Sequence, residues 1–242
     1  MQKTTSAIVL RKIPFGDFDF IVTLFSREYG RISGVAKFAR KSKKRFAGAL
    51  EIGTLVNVAY SEGANSNLLR LIEAIVVRPA NGVMKSLKRL HALSAALEMA
   101  LGFLQERQAA PEKFDLLSEF LFTLSERDPE TWDLLAFKWA WVSHSGFKPV
   151  MMGCAVCGKG RDGDGDWSFD LENGGLVCDG CAKKSLTSIY LSKYALRGFS
   201  ELQSGSLFCD DETADDAEKI LNRYITHILG KPLKSEMMIG IK

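Results

Sequence analysis

The amino-acid sequence predicts an α+β protein with a small β-barrel at its amino end, a helical domain after it, and a four-cysteine module inserted among the helices. Three observations predict this fold class. Apolar, β-branched segments fill the first third of the chain, a helical repeat of apolar residues starts near residue 82, and two Cys-x-x-Cys motifs follow. We therefore divide the chain into residues 1–79 and 80–242, with the insertion at about 150–186.

Five segments of the first domain have the composition of β-strands. They are rich in Val, Ile, Leu and Phe and are separated by turn-forming residues such as Gly30 and Pro79. Five strands with no long helical pattern between them predict a five-stranded barrel of the OB type, although periodicity alone does not separate it from an SH3-like barrel. The segments are Ala7–Ile13, which Pro14 is expected to end, Phe20–Phe25, Arg31–Lys37, Leu55–Tyr60 and Leu68–Val77.

The charge of the chain is unevenly distributed. The sequence has 32 Lys and Arg against 29 Asp and Glu, a net charge of +3. Residues 1–80 contain 13 of the basic residues and 6 of the acidic ones, a net charge of +7, and the other 162 residues contain 19 against 23, a net charge of −4. A basic amino-terminal domain favours a polyanionic partner.

The positive charge is most concentrated between the third and fourth predicted strands. In the segment Lys37–Arg45, six of nine residues are cationic and none is acidic. A phosphate backbone is the expected partner of these cations, although a solvated loop is the alternative. The flanking rings of Phe38 and Phe46 could stack bases of a single strand, but we favour a role in anchoring the loop to the core. The predicted DNA-binding residues are Arg31, Lys37, Arg40, Lys41, Lys43, Lys44 and Arg45.

Two cysteine pairs define the inserted module. Cys154 and Cys157 form the first pair, and Cys178 and Cys181 form the second. Four thiolates at this spacing predict one structural zinc ion, since four protein sulfurs leave no position open for water or substrate. Two disulfides would require an oxidising compartment, and a thioredoxin-like redox pair needs only one such motif, so we disfavour both. Cys209 has no partner in this pattern and is expected to be a free thiol.

From residue 82 onward the apolar residues recur with the period of a helix. A leucine stripe from Leu87 to Leu104 predicts the first helix, and a second stripe from Phe114 to Leu124 follows an interruption that ends at Pro111. The third helix, over residues 132–142, is apolar on nearly all sides and is expected at the centre of a bundle. Its predicted N-cap is Asp128. Two more helices are predicted after the cysteine module, at Leu191–Phe199 and Thr213–Leu229.

The sequence shows no pattern of catalytic residues. The three histidines are scattered, and the acidic residues are dispersed rather than clustered as a metal-dependent phosphodiesterase requires. We therefore expect no enzymatic activity. The alternatives are a zinc-ribbon enzyme that modifies nucleic acid, which cleavage of labelled DNA with magnesium or manganese would reveal, and an interaction scaffold with an incidental basic segment, which the salt dependence of DNA binding would distinguish.

Several motifs extend across nearly the whole chain. They are Ala7–Arg11 followed by Gly16–Asp19, Leu24–Lys37, the basic segment leading into Phe46–Leu50, Cys154–Gly158 and Gly230–Ser235. With the barrel and the cysteine module, these motifs resemble the RecO family of bacterial DNA-repair and recombination-mediator proteins. The sequence departs from the family pattern at Phe38, where Gly is expected, and at Glu51–Thr54, which lacks the usual Pro.

The resemblance implies a non-enzymatic protein of the bacterial cytoplasm and nucleoid. It implies binding of single- and double-stranded DNA through the OB-fold, annealing of complementary strands, contact with the acidic C-terminal tail of single-stranded DNA-binding protein, and action with RecR in loading RecA. No apolar run approaches the length of a bilayer crossing, so no membrane partner is expected. The helical half is expected to bind proteins, and the candidate cations for the acidic tail are Lys85, Lys88, Arg89, Arg107, Lys113 and Lys138.

Overall fold

The computed structural model describes residues 2–62, 68–161, 166–206 and 209–237. The chain folds into two compact units, Met1–Asp128 and Pro129–Lys242. The first unit contains the barrel and two helices, and the second contains the other helices and the cysteine module. Among the described helices, none combines the length and the apolar composition that a bilayer crossing requires.

Five strands close into a barrel at the start of the first unit. Around the barrel their order is β1-β2-β3-β5-β4, and all neighbours are antiparallel except β3 and β5. This is a five-stranded barrel of the OB type and confirms the predicted fold class. The strands are β1 (Gln2–Phe15), β2 (Asp19–Ser26), β3 (Gly30–Ala36), β4 (Leu55–Ser61) and β5 (Leu69–Arg78).

The first strand is longer than the sequence predicted. Its first half pairs with β4 and its second half with β2, and a register shift between Val9 and Arg11 bends it between the two partners. Pro14 does not end the strand, as we expected, but pairs with Phe20 of β2. Because β4 pairs only as far as Ile8, this end of β1 is an edge, and the missing N–H of proline costs no ladder hydrogen bond there.

Two helices cover the outer surface of the barrel: α1 (Leu87–Phe103) and α2 (Pro111–Glu126). Ile8, Leu10 and Phe25 are outside the barrel core, yet all three are buried. The Phe25 ring meets the Phe114 ring of α2 edge to face, with centroids 5.4 Å apart. Both helices therefore belong to the same folding unit as the barrel.

Arg89 of α1 stabilises the carboxyl-terminal end of the first unit. Its guanidinium pairs with the Asp128 carboxylate at 2.6 Å and donates to the carbonyl groups of Gly82 and Ser125, each at 3.0 Å. Because Asp128 is engaged by this ion pair, it is not the N-cap that the sequence predicted for the third helix.

The third helix, α3 (Thr131–Val142), begins the second unit. Glu130 caps it in a reciprocal arrangement: its side chain accepts from the Asp133 backbone N–H, and its own N–H donates to the Asp133 carboxylate at 2.8 Å. Buried side chains lie on all sides of the helix, as predicted, and they include Lys138. The fully buried ammonium group of Lys138 contacts Glu218 at 2.8 Å and Glu236 at 3.4 Å.

The described residues of the second unit also form a π-helical turn at Ser143–Phe147, a small sheet and four further α-helices. The sheet has the order β7-β6-β8 and shares an aromatic core with the helices, since the Phe169 ring lies 5.7 Å from Phe199 and 5.2 Å from Tyr224. The cysteine module is thus joined to the helices by packing. The elements are β6 (Trp167–Asp170), β7 (Gly175–Cys178), α4 (Asp179–Ala182), β8 (Ser188–Tyr190), α5 (Lys193–Ser204), α6 (Asp211–Leu229) and α7 (Lys234–Met237).

Candidate nucleic-acid interface and metal site

The basic segment Lys37–Arg45 directly follows β3 and contains a short 3₁₀ turn at Ala39–Lys41. All six of its cationic side chains are exposed. Within the described part of the chain, no carboxylate lies at ion-pair distance from any of the six. Among the described residues, the segment therefore presents positive charge without a carboxylate partner.

The basic segment is held against the β1–β2 turn by hydrogen bonds. The Arg40 backbone N–H donates to the Phe18 carbonyl at 3.0 Å, and its guanidinium donates to the Asp17 carbonyl at 3.1 Å. The Phe38 backbone N–H donates to the Asp19 carboxylate at 2.8 Å. These bonds fix the position of the cations relative to the barrel, which reduces the entropy that binding would cost.

The two phenylalanines beside the cations have different roles. Phe46 is only 4% exposed and packs in the barrel core, which agrees with the anchoring role. Phe38 is 58% exposed, so the anchoring interpretation is wrong for this ring. Its φ of 57° lies in the left-handed region that favours glycine, which explains why glycine is the expected residue at this position.

Phe18 is an aromatic residue of the candidate interface that the sequence analysis missed. Its ring stacks with that of Phe38, with centroids 6.2 Å apart and planes inclined by 15°, and the Lys41 ammonium lies 3.9 Å from its centroid. The signal available in the sequence was the run Phe15–Phe18, in which two aromatic residues flank a glycine turn.

Arg31 lies apart from the other predicted DNA contacts. It occupies the start of β3 and Lys37 follows the end of that strand, so the two residues are separated by roughly 20 Å at the usual rise of a strand. The Arg31 guanidinium donates to the Leu101 carbonyl at 2.9 Å and lies 3.6 Å from the Glu106 carboxylate. Its role as a DNA contact remains a prediction, and it lies at the opposite end of β3 from the basic segment.

The structure separates the six candidate cations for an acidic peptide tail. Lys85 and Lys88 are exposed around the start of α1, and burial lowers the pKa of the half-buried Lys113. Arg89 and Lys138 are buried and engaged in the ion pairs described above. Arg89 and Lys138 are therefore no longer candidates for binding the acidic tail.

The four paired cysteines converge on one point of the second unit. The sulfur atoms of Cys154, Cys157, Cys178 and Cys181 all lie within 4.8 Å of one another, and those of Cys157 and Cys178 are 3.8 Å apart. A tetrahedral zinc ion with sulfur ligands at about 2.3 Å requires sulfur separations of about 3.8 Å. The group could therefore hold a metal ion with little rearrangement.

Different elements bring the four thiols together. Cys154 and Cys157 lie in a tight turn before β6, where the left-handed Gly158 donates its N–H to the Cys154 carbonyl at 2.9 Å. Cys178 is the last residue of β7. The helix α4 begins directly after it, at Asp179, and contains Cys181. Cys209 does not belong to the group, and burial raises the pKa of its thiol to about 11.

The electrostatics of the four thiols favour a cation among them. Burial opposes ionisation of Cys154, but hydrogen bonds from the backbone N–H groups of Cys157 and Cys178 outweigh it and lower its pKa to about 6. Hydrogen bonds to the Cys157 and Cys178 thiols raise the pKa of Cys181 to about 12. A divalent cation would allow all four to ionise, since it compensates their mutual repulsion.

Comparison with known proteins assigns the chain to a family. The family model described as Recombination protein O N terminal matches residues 1–80, and Recombination protein O C terminal matches residues 84–237. A DNA repair protein RecO from Anaeromyxobacter dehalogenans (strain 2CP-C) is 32% identical over 240 residues, which are 97% of this chain and 94% of the relative. The RecO of Myxococcus xanthus (strain DK1622) is 33% identical over 230 residues, covering 95% and 93%, and that of Koribacter versatilis (strain Ellin345) is 32% identical over 245 residues, covering 98% and 96%. The chain therefore belongs to the RecO family of DNA repair proteins.

Proposed function

We propose that this protein is a recombination mediator that binds single- and double-stranded DNA through its barrel and anneals complementary strands. The observation that carries the proposal is the basic segment Lys37–Arg45, in which all six cations are exposed and have no carboxylate at ion-pair distance among the described residues. Cations that contact the phosphates of two strands at once reduce the repulsion that opposes their pairing. Membership of the RecO family supports the same role.

The DNA-binding proposal is tested by combining Lys41→Gln, Lys43→Gln and Lys44→Gln in one variant. Phosphate contacts carry no sequence information, so affinity should fall for all DNA sequences alike. Each lost contact should also flatten the slope of log affinity against log salt, by about 0.9 for duplex and about 0.7 for single strands. Titrations at several salt concentrations measure both effects.

A matched control removes three positive charges from elsewhere on the surface. Lys85, Lys148 and Lys184 are exposed and lie outside the basic segment. Their combined change to Gln alters the net charge equally but should leave most of the salt slope intact. Equal slopes for the two triple variants would show that the site lies elsewhere.

We also propose that the protein acts with other recombination proteins. By this proposal the chain binds the acidic C-terminal tail of single-stranded DNA-binding protein in the cytoplasm. Together with RecR, it helps to load RecA onto DNA that is covered by single-stranded DNA-binding protein. Residues 1–79 are assigned to DNA and residues 80–242 to protein partners, in line with the negative charge of the helical part. Annealing measured with and without single-stranded DNA-binding protein tests this. Complete inhibition of annealing by single-stranded DNA-binding protein would contradict the proposal.

We propose one structural zinc ion, bound by Cys154, Cys157, Cys178 and Cys181. The ligand chemistry supports zinc, because four thiolates suit a soft, redox-inactive cation with tetrahedral preference. When bound, the ion offsets half of the negative charge of the four thiolates and cross-links the turn before β6 to β7 and α4. Elemental analysis of protein purified without chelators should find one zinc per chain.

No catalytic residue is part of the proposal. Within the described residues, the four cysteines are the only group of three or more potential metal ligands, and they leave no open coordination position. Labelled DNA incubated with the protein and magnesium or manganese should remain uncleaved.

A further inference from the structure

Phe38 combines a strained backbone with an exposed aromatic ring. A non-glycine residue with φ of 57° is strained, and burial of this ring compensates little of the strain because the ring is 58% exposed. Glycine would adopt the same turn without strain. Neither local conformation nor core packing accounts for phenylalanine at this position.

The Phe38 ring is the outer member of an ordered aromatic group. The ring of Phe18 lies nearly parallel to it, inclined by 15°, and the Lys41 ammonium lies over the Phe18 ring. Phe18 is only half-buried, so the group faces solvent beside the cations of the basic segment. An aromatic surface flanked by cations is the arrangement that holds an unpaired base and its phosphate.

The backbone around these rings is held in place before any ligand arrives. The N–H of Phe38 is bonded to the Asp19 carboxylate, and the Phe18 and Phe38 carbonyl groups accept from the N–H groups of Arg40 and Lys41 at 3.0 and 3.2 Å. The rings therefore project from a fixed turn, which reduces the ordering cost of stacking.

We propose that Phe38, supported by Phe18, stacks on an unpaired base and gives the barrel a preference for single-stranded over double-stranded DNA. The inference rests on the proposed DNA binding and names the form of DNA that this site selects. In a duplex, the faces of the bases are covered by their neighbours, so only the phosphates remain available to the basic segment. A single strand offers phosphates and base faces together.

The test compares Phe38→Gly and Phe38→Trp variants with the unchanged protein. Glycine removes the ring and fits the left-handed backbone, so the fold is retained, whereas tryptophan restores an aromatic face. The probes are an oligothymidine, an abasic strand of equal length and a duplex of equal length. A matched control is Phe122→Ala, because Phe122 is likewise an exposed ring, at 48%, beside a cation, Arg78 at 4.7 Å, but lies on α2.

Phe38→Gly should weaken oligothymidine binding about 5- to 150-fold, because the stacking contribution of one base is lost. Its affinities for the abasic strand and the duplex should be unchanged, as should the salt slope. Phe38→Trp should restore oligothymidine binding, and Phe122→Ala should have no effect.

The possible failures are distinguishable. If Phe38→Gly weakens all three probes equally, or none, the stacking role is wrong while DNA binding stands. If the unchanged protein binds none of the probes, the proposed function fails and the inference fails with it.

Discussion

Asp170 shows how one residue can hold the cysteine module to its surroundings. Its buried carboxylate accepts hydrogen bonds from the hydroxyls of Ser185, Thr187 and Ser188 and from the Asn173 backbone N–H. Burial alone would raise its pKa, but the hydrogen bonds outweigh burial and lower the pKa to about 2. The ionised form therefore ties the loop that follows α4 to β6.

This pKa shift predicts a pH dependence of stability. A carboxyl group whose pKa is lower in the folded state contributes stability above its unfolded pKa of about 3.9, and this contribution is lost as the pH falls towards 2. Asp170→Asn should therefore destabilise the second unit at pH 7, by about 2 kcal/mol. Urea unfolding of both proteins from pH 7 to pH 2 measures the difference, which should shrink below pH 4. A constant difference across this range would contradict the role of the charge.

Cys154→Ser tests the proposed zinc site at the level of one ligand. The variant should retain well under one zinc per chain by elemental analysis, because a neutral hydroxyl is a poor replacement for a thiolate. The second unit should become sensitive to protease, whereas residues 1–128, which have their own core, should resist. Cys209→Ser is the control and should retain the metal. Protease resistance equal to that of the unchanged protein would contradict a structural role of the ion.

At the scale of residues, the sequence predicted the groups whose chemistry depends on spacing along the chain. The two cysteine pairs and the six clustered cations are of this kind. The exposed position of Phe38 and the contribution of Phe18 were missed, because each depends on the turn that the residue occupies in the fold. The glycine expected at position 38 was the available signal for an unusual backbone.

At the scale of elements, α1 and α2 behave as part of the barrel. The apolar run Ala7–Leu10 shows why: Ala7 and Val9 fill the barrel, and Ile8 and Leu10 need cover on the outside. An uninterrupted apolar strand signals burial on both faces, so the need for this cover could have been predicted from the sequence. The sequence does not show which helices supply this cover.

A fragment of residues 1–79 should therefore be unstable. It would expose Ile8, Leu10 and Phe25, at about 1.5–3 kcal/mol each, against a total stability of about 5–15 kcal/mol for a domain. A fragment of residues 1–128 retains both helices and should unfold cooperatively. Circular dichroism during urea denaturation compares the two fragments. Equal stability would contradict the role of α1 and α2.

The boundaries that the sequence placed incorrectly were decided by tertiary contacts. Pro14 is tolerated inside β1 because the neighbouring strand has already ended, and Asp128 is diverted from capping α3 by Arg89, a residue 39 positions earlier. In both cases the local pattern was correctly recognised, but the partner that overrode it was distant in the chain. The apolar stripe of α2 had no such competitor, and all five of its predicted residues are buried.

At the scale of the whole molecule, the charge follows the two compact units. Residues 1–128 contain 19 Lys and Arg against 13 Asp and Glu, and residues 129–242 contain 13 against 16, so the net charges are +6 and −3. The sequence predicted this asymmetry from composition alone. The family models meet near residue 80, whereas the units meet at Asp128, so sequence families and packing divide the chain differently.

The buried Lys138 has a consequence for the order in which a ribosome-bound chain can fold. Its carboxylate partners Glu218 and Glu236 lie 80 and 98 residues later, so during synthesis α3 emerges with a cation that it cannot yet bury. The barrel and its two helices form one compact unit whose sequence is complete once Asp128 has left the exit tunnel. Folding on the ribosome should therefore proceed in two steps. The first unit folds while synthesis continues, and the second unit folds only after its last helices, α6 and α7, have been synthesised.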